Sequence, residues 1–236
     1  MKKAFTIAEI LITLGIIGIV AAMTIPGLIN NYKAHKLHSK FLKSYSTIQQ
    51  VIRSMVNDEI STDPSDYDNY SFPVEFAKYL NAPTICYTRG GNKAEIPTGC
   101  MVYGTDDDYK FLNSTSSLSY GVYNNGEIIL QDGTLLLFDD AGGTNKSESW
   151  NGTLIIVDLN GYNRGPNMLG YDAFAFENVD GDVYTMGDLN TDYNGTYLDA
   201  DTYCDFDKKI TYNGLTCAHK AKSSSDYFKQ LVSKIK

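Results

Sequence analysis

The amino-terminal segment of the chain is almost entirely apolar from Phe5 to Ile25 and ends at Pro26. Its 21 residues carry one charged side chain, Glu9. A helix of that length is about 31 Å long, which is enough to cross the hydrocarbon core of a membrane. The pattern therefore predicts a membrane-spanning helix over residues 5–26, preceded by the short basic segment of residues 1–4.

Beyond Pro26 the apolar residues take up the spacing of an amphipathic helix. They recur every three or four positions while basic residues occupy other faces, and they are Leu37, Phe41, Tyr45, Ile48, Ile52 and Met55. An amphipathic helix is thus predicted over residues 27–57, continuous with the first. Because Pro26 lacks the N–H that would bond to the residue four positions back, we expect a kink or a loosened turn there.

Residues 58–236 are predicted to form a globular head. Asp-Gly dipeptides join β-rich runs into hairpins at residues 127–138 and 172–186, and residues 153–158 form a further strand. A long helix followed by antiparallel strands predicts an α+β fold. In it the N-terminal helix packs on an antiparallel β-sheet, and the C-terminal region is rich in loops and contains disulfides.

Two short helices are predicted inside the head. One covers residues 72–80 and starts at Pro73, because proline suits the first turn of a helix. The other follows Ser225 as its N-cap, and Tyr227, Phe228, Leu231, Val232 and Ile235 then share one face.

Charge is distributed unevenly along the chain. The net charge is −8, but the first 60 residues carry seven basic and three acidic side chains, which leaves −12 on the remainder. A head of that charge repels the phosphate backbone, so the sequence argues against nucleic acid as a partner.

The four cysteines fall into two local pairs, Cys86 with Cys100 and Cys204 with Cys217. Neither spacing is that of a zinc or redox motif. Four cysteines allow three pairings, and free buried thiols are the other interpretation. For a head exported to an oxidising compartment we predict the local pairing, with each bridge stabilising the head by roughly 3 kcal/mol.

Two common interpretations of the N-terminus fail to explain Glu9, and a third, given below, does explain it. A secretory signal peptide cut after Ala22 and an ordinary membrane anchor both leave this carboxylate unexplained. At mid-span it costs about 2.5–3.5 kcal/mol, against roughly −5 kcal/mol gained by the eleven Leu, Ile, Val and Phe side chains of the segment. The segment would still insert, but an intramembrane carboxylate implies a partner.

Residues 1–57 resemble the prepilin cleavage and methylation segment shared by type IV pilins and type II secretion pseudopilins. The matching residues are Lys2-Lys3, Phe5-Thr6, Glu9, the run from Leu14 to Ala22, and Pro26. The resemblance implies that a prepilin peptidase cuts between Ala4 and Phe5 and methylates the new amine. It also implies that Glu9 of one subunit pairs with the amine of Phe5 on a neighbour during assembly, a charge pair formed in low dielectric.

The resemblance further implies a structural subunit, not an enzyme, that assembles into a type IV pilus or a secretion pseudopilus. Its partners would be other pilin or pseudopilin subunits, the prepilin peptidase, the inner-membrane assembly machinery and membrane lipid. The chain would cross the cytoplasmic membrane once, with an extracytoplasmic head, and would later join a cell-surface or periplasmic filament. Residues Asp158 to Gly170 also look like loops of pseudopilin-like heads.

Two features depart from the family pattern. Ala4 stands where glycine is usual before the cut, and it is small enough for processing to be expected, at a reduced rate. Four lysines after the span outnumber the two before it, which opposes the predicted orientation; they are Lys33, Lys36, Lys40 and Lys43. The resemblance, not the charge rule, thus places the head outside.

The head contains no nucleophile turn, phosphate loop or metalloprotease motif, and no cofactor is required. His35 and His38 are spaced as two metal ligands would be, but a solvated helix face explains them better. The one metal-like pattern is a calcium loop from Asn190 to Asp201, with glycine at its sixth position. Its candidate ligands are Asn190, Asp192, Asn194, Asp199 and Asp201. Asp158 and Asn160 form a weaker candidate.

Two alternatives to the filament subunit stay open at this point. A membrane-anchored extracytoplasmic calcium- or carbohydrate-binding protein would share the span and the acidic loop. A secreted hydrolase has no catalytic constellation in the sequence. Within the resemblance, nothing in the sequence separates a pilus from a pseudopilus or a major from a minor subunit.

Overall fold

The computed structural model of the chain describes residues 6–67, 71–88, 97–101, 107–139, 152–193 and 195–235. The α-helices of this part are α1 (Ile7–Asn57), α2 (Phe72–Ala77), α3 (Ala200–Tyr203), α4 (Cys217–Ser223) and α5 (Tyr227–Lys234). Its strands are β1 (Thr84–Thr88), β2 (Gly126–Ile129), β3 (Leu135–Asp139), β4 (Gly152–Asp158), β5 (Ala173–Val179) and β6 (Asp182–Thr185).

Helix α1 is one element of 51 residues, about 76 Å long at 1.5 Å per residue. It ends at Asn57, as the periodicity predicts. Helical backbone continues without a break through Pro26, so the loosened turn expected there does not interrupt the helix. The hydroxyl of Thr24 bonds to the carbonyl of Val20 just before that point, at 2.9 Å.

The strands form one antiparallel sheet in the order β1-β2-β3-β4-β5-β6, in which each strand pairs with its neighbour in sequence. Asp180 and Gly181 both have positive φ and make the two-residue turn between β5 and β6, as predicted. The other Asp-Gly pair lies within a longer loop, since β2 ends at Ile129 and β3 begins at Leu135.

Both faces of the sheet are covered, which explains why its central strands are apolar throughout instead of alternating. The second half of α1 packs on one face, where it meets alternate strand residues; these are Ile128, Leu136, Phe138, Ile155, Val157, Phe174, Phe176 and Val183. A layer of loops packs on the opposite face through Tyr109, Phe111, Leu118, Tyr123, Met186, Tyr193, Leu198 and Leu215.

The two short helices predicted in the head are present with adjusted ends. Helix α2 begins at Phe72, with Pro73 in its first turn, and ends at Ala77. Helix α5 begins after Asp226, which replaces Ser225 as the N-cap residue and makes no side-chain capping bond. Its buried face contains Tyr227, Phe228, Leu231 and Val232, as predicted, because this face packs on α1.

Candidate functional site: the N-terminal helix and the acidic residues of the head

The first half of α1 exposes large apolar side chains on all its sides. They are Ile7, Ile10, Leu11, Ile12, Leu14, Ile16, Ile17, Ile19, Val20, Met23, Ile25, Leu28, Ile29 and Tyr32. Their exposed fractions range from 47% for Ile10 to 79% for Ile7. The helix is long and apolar enough to cross a membrane, and none of its most apolar stretch is buried within the chain. A helix that is apolar all round requires an apolar environment.

Glu9 caps its own helix. Its carboxylate accepts hydrogen bonds from the backbone N–H and from the hydroxyl of Thr6, each at 2.8 Å, while the Thr6 hydroxyl accepts from the N–H of Glu9 at 3.3 Å. This reciprocal pair is a capping box. The carboxylate of Glu9 thus has two uncharged hydrogen-bond donors, and no described residue of its helix supplies a cation to pair with its charge. Ala4 and Phe5 lie outside the described residues.

The second half of α1 forms the centre of the head. Its buried side chains are Ala34, Leu37, Phe41, Ser44, Ile48, Val51, Ile52 and Met55. The ring of Phe41 contacts Phe174, Phe176 and Phe228 at centroid distances of 5.0–5.8 Å. The ammonium of Lys40 donates to the carbonyl of Leu159 at 2.6 Å. Apolar packing and a cross-element hydrogen bond thus attach the exposed apolar segment rigidly to the head.

Both predicted disulfides are present, and no cysteine is free. Cys86 in β1 bonds to Cys100, and Cys204, which follows α3, bonds to Cys217 in the first turn of α4. The first bridge ties the edge strand β1 to the loop that contains Cys100, and the second ties the end of α3 to the start of α4. They therefore restrain the loop layer and the C-terminal region.

Buried acidic side chains attach the loop layer to the sheet. Glu127 on β2 accepts from the N–H of Met101 at 3.2 Å, and Glu177 on β5 accepts from the N–H of Asp192 at 3.0 Å. Burial raises the pKa of Glu127 to about 7 and that of Glu177 to about 8. Both groups therefore hold protons at a pH where exposed carboxyl groups are ionised.

Asp158 and Asp172 organise the loop that connects β4 to β5. Asp158 accepts from the hydroxyl of Tyr109 at 3.0 Å and from the N–H groups of Asn160 and Gly161. Asp172 accepts from Met168 N–H at 2.8 Å. Burial first, and the charge of Asp172 second, raise the pKa of Asp158 to about 7. The side chain of Asn160 donates to two carbonyls of this loop, so the weaker calcium candidate is engaged in internal hydrogen bonds.

The predicted calcium loop does not bring its described carboxylates together. Asp192 accepts from Gly195 N–H, Asp199 accepts from Thr202 N–H as the N-cap of α3, and Asp201 pairs with Lys220 at 3.2 Å. Within the described part of the chain, no three His, Cys, Asp or Glu side chains are placed to hold a metal ion. Asn190 is exposed, and its amide donates to Asp188. Asn194 lies outside the described residues, and calcium binding stays a prediction.

The two α1 histidines lie against α5. His38 stacks on Phe228 with ring centroids 5.4 Å apart, and His35 is exposed in the same groove between the two helices. His38 therefore contributes to packing, and the pair is not assembled as a metal site.

The roles of two groups of residues were not predicted from the sequence. Thr6 and Glu9 have the Thr-x-x-Glu spacing of a capping box, which the sequence shows directly. Glu127 and Glu177 each interrupt an apolar strand, and an acidic residue within a strand buried on both faces signals an internal contact. The loop N–H groups that donate to these two carboxylates could not be predicted, because the hydrogen bonds join residues that are distant in sequence.

A scan against models of known protein families found no match, and neither did searches of curated proteins and of solved structures.

Proposed function

We propose that this chain is a structural subunit, made as a prepilin-like precursor, of a type IV pilus or a type II secretion-type pseudopilus. One observation carries the proposal: a single helix supplies both the core of a disulfide-containing head and, without interruption, a fully exposed apolar segment with one carboxylate near its start. The resemblance of residues 1–57 to the prepilin segment supports the same conclusion.

The exposed segment suits two environments in turn. Before assembly the 23 residues from Ile7 to Ile29 would lie in lipid, since they span about 35 Å as a helix. After assembly they would pack against the same segment of other copies. Gly15, Gly18 and Ala22 share one face, and a Cβ added at Gly15 or Gly18 would meet no atom within 4 Å. Small residues allow helices to approach closely in an apolar environment.

Because α1 is continuous, the heads would be held around the bundle of apolar helices and would form the outer surface of the filament. Because the buried half of the helix is packed into the head, a bundle of the apolar halves fixes the position of every head relative to the next. Glu9 lies in the first turn of α1, where the amine of a cleaved neighbour starting at Phe5 would meet it. An unpaired charge there is costly in low dielectric, so the pair would select the correct helix register.

The decisive experiment is to isolate the protein from the cells that produce it, shear filaments from their surface and measure the intact mass of the sheared subunit. We expect a chain that begins at a methylated Phe5. A mass that retains Met1 to Ala4 would indicate an uncleaved anchor, and one that begins at Met23 would indicate a signal peptide. Either result, or the absence of this chain from filaments, would overturn the proposal.

A further inference from the structure

The two ends of the head carry opposite charge. Near the membrane-proximal end, α1 contains no acidic residue between Glu9 and its C-cap residue Asp58. The basic residues around this end form what we term the basic belt: Lys33, Lys36, Lys43, Arg164 and Lys229. Lys43 and Lys229 pair with acidic residues nearby, whereas Lys36 and Arg164 form no ion pair with any described residue. Burial first, and then the charges of Lys36 and Arg164, lower the pKa of Lys40, so both of these cations lie near Lys40.

The distal end carries what we term the acidic cap: Asp58, Glu59, Asp66, Asp180 and Asp182, all exposed. The turn between β5 and β6 packs on the end of α1, since a Cβ on Gly181 would lie 2.9 Å from Val56. The side chain of Asn178 donates to the carbonyl of Thr62 at 2.8 Å. These contacts bring three separate segments of the chain together at one acidic surface.

The acidic cap outnumbers the basic residues beside it: Arg53 and Lys222 line the same cleft as Asp182, and neither forms an ion pair with a described residue of the cap. Asp58 and Asp66 accept hydrogen bonds from the uncharged groups of Tyr79 and Ser61, and among the described residues Glu59, Asp180 and Asp182 form no ion pair. The last turn of α1 contains no basic residue, so the negative end of the helix dipole adds to the acidic charge. The surface therefore favours a cationic partner.

We propose that the partner is the basic belt of a second copy of this chain, so that the cap of one head contacts the belt of the next along the filament. This inference rests on the proposed function, which gives all copies the same direction. Lys36 and Asp58 are 22 residues apart, about 33 Å along α1 and about six turns, and therefore leave the helix on nearly the same side. Two copies that lie side by side and are offset along the filament by about that distance would place the belt of one at the height of the cap of the other.

Such a contact joins two different surfaces, so it does not close on itself and propagates as an open filament. Its charges act within a Debye length of about 8 Å at physiological salt, so it requires direct apposition of the heads. It differs from the pairing of Glu9 with Phe5, because it lies in water and orders the heads, not the apolar helices.

The test uses the full chain in the cells that produce it and measures the subunit in sheared filaments. Lys36→Glu and Glu59→Lys should each lower that amount by about tenfold, equivalent to about 1.4 kcal/mol per assembly step. The double variant, which restores opposite charges across the contact, should recover most of the loss. Lys209→Glu is the matched control, because Lys209 is exposed outside the belt, and it should assemble normally. Intact disulfides show that each head has folded.

A cross-link gives the second readout. Chains carrying Lys36→Cys and chains carrying Glu59→Cys, produced together, should give dimers in filaments with a short thiol-specific reagent. The same two positions within one chain are too far apart to react, and the native cysteines are all in disulfides. Normal filaments with no such dimers and no effect of charge reversal would overturn the interface while leaving the proposed function intact.

Two other outcomes also decide against the interface. If Lys36→Glu impairs assembly but Glu59→Lys does not, and the double variant is not rescued, the belt binds anionic lipid headgroups instead of the cap. If the unmodified chain enters no filament, the interface and the proposed function fall together.

Discussion

The carboxylate of Glu9 and the hydroxyl of Thr6 are hydrogen-bonded at 2.8 Å at the start of α1. The only carboxylate in the apolar segment thus already satisfies two donors of its own chain. In low dielectric this lowers the cost of carrying the charge before assembly, because the carboxylate is solvated by the helix end. It leaves the charge itself available to a cationic partner.

The capping and charge roles of Glu9 predict different results for two substitutions. Glu9→Gln keeps an oxygen that accepts from Thr6 but removes the charge, and it should reduce filament incorporation at least tenfold, because loss of one partner of a buried pair costs about 3–5 kcal/mol. Thr6→Val removes the hydroxyl and keeps the charge, so incorporation should fall little. Membrane fractionation should show both inserted. Equal effects of the two variants would assign Glu9 to helix capping alone.

The position of the core predicts which truncation folds. A fragment of residues 28–236 keeps every residue of α1 that is buried in the head and removes much of the exposed apolar segment. It should be a folded, soluble monomer with a cooperative unfolding transition. A fragment of residues 58–236 loses eight buried side chains of α1 and should not fold. Circular dichroism and amide exchange distinguish them. A cooperative fold for the shorter fragment would contradict the role of α1 in the core.

The disulfides predict both a connectivity and a stability. Peptide mapping of non-reduced protein should give Cys86–Cys100 and Cys204–Cys217 only. Replacing Cys204 and Cys217 together by serine should lower the free energy of unfolding of fragment 28–236 by about 3 kcal/mol, the usual effect of a short bridged loop. Urea denaturation measures it. Replacement of Ser233, which is exposed, by alanine is the control, and crossed or free cysteines would contradict the fold.

Glu177 predicts a pH dependence of stability. Its pKa is raised by burial to about 8 in the folded head, so the folded state binds a proton that the unfolded chain releases near pH 4. Stability should therefore fall as pH rises from about 5 to 8. Glu177→Gln should leave fragment 28–236 little changed at pH 5 and stabilise it at pH 8 by at most about 4 kcal/mol.

The control for that experiment is Asp182→Asn, which neutralises an exposed carboxylate on the neighbouring strand. It should leave the slope of stability against pH unchanged. Glu127 and Asp158 have pKa values raised to about 7, so part of the slope should remain in the Glu177→Gln variant. A wild-type head with constant stability over this range would show that Glu177 is ionised throughout.

Calcium binding by the loop from Asn190 to Asp201 has a direct test. The described carboxylates are engaged elsewhere, so binding requires Asp199 and Asp201 to leave Thr202 and Lys220, and a dissociation constant of about 10⁻⁴–10⁻³ M is expected. Calcium at about 10 mM should then stabilise fragment 28–236 by about 1.4–2.7 kcal/mol. Asp192→Asn should abolish this shift. Equal shifts with magnesium at matched ionic strength would identify an acidic turn only.

Local chemistry explains how much of the head could be read from the sequence. The apolar stripe from Leu37 to Met55 predicted the buried face of α1, because its period is that of a helix. Asp180-Gly181 predicted its turn because positive φ at both positions suits this dipeptide. Asp132-Gly133 predicted a turn of the wrong length, since Asp132 bonds instead to Thr134 and to Lys43 of α1.

The sequence by itself determined the long helix, the exposed apolar segment and the antiparallel strands, because each depends on residues near one another in the chain. Tertiary structure decided the rest. It covered the second face of the sheet with loops, gave Glu127 and Glu177 their backbone partners, and separated the carboxylates of the predicted calcium loop. It also gathered the acidic cap from three segments. Such arrangements depend on packing between elements distant in sequence, which no local pattern encodes.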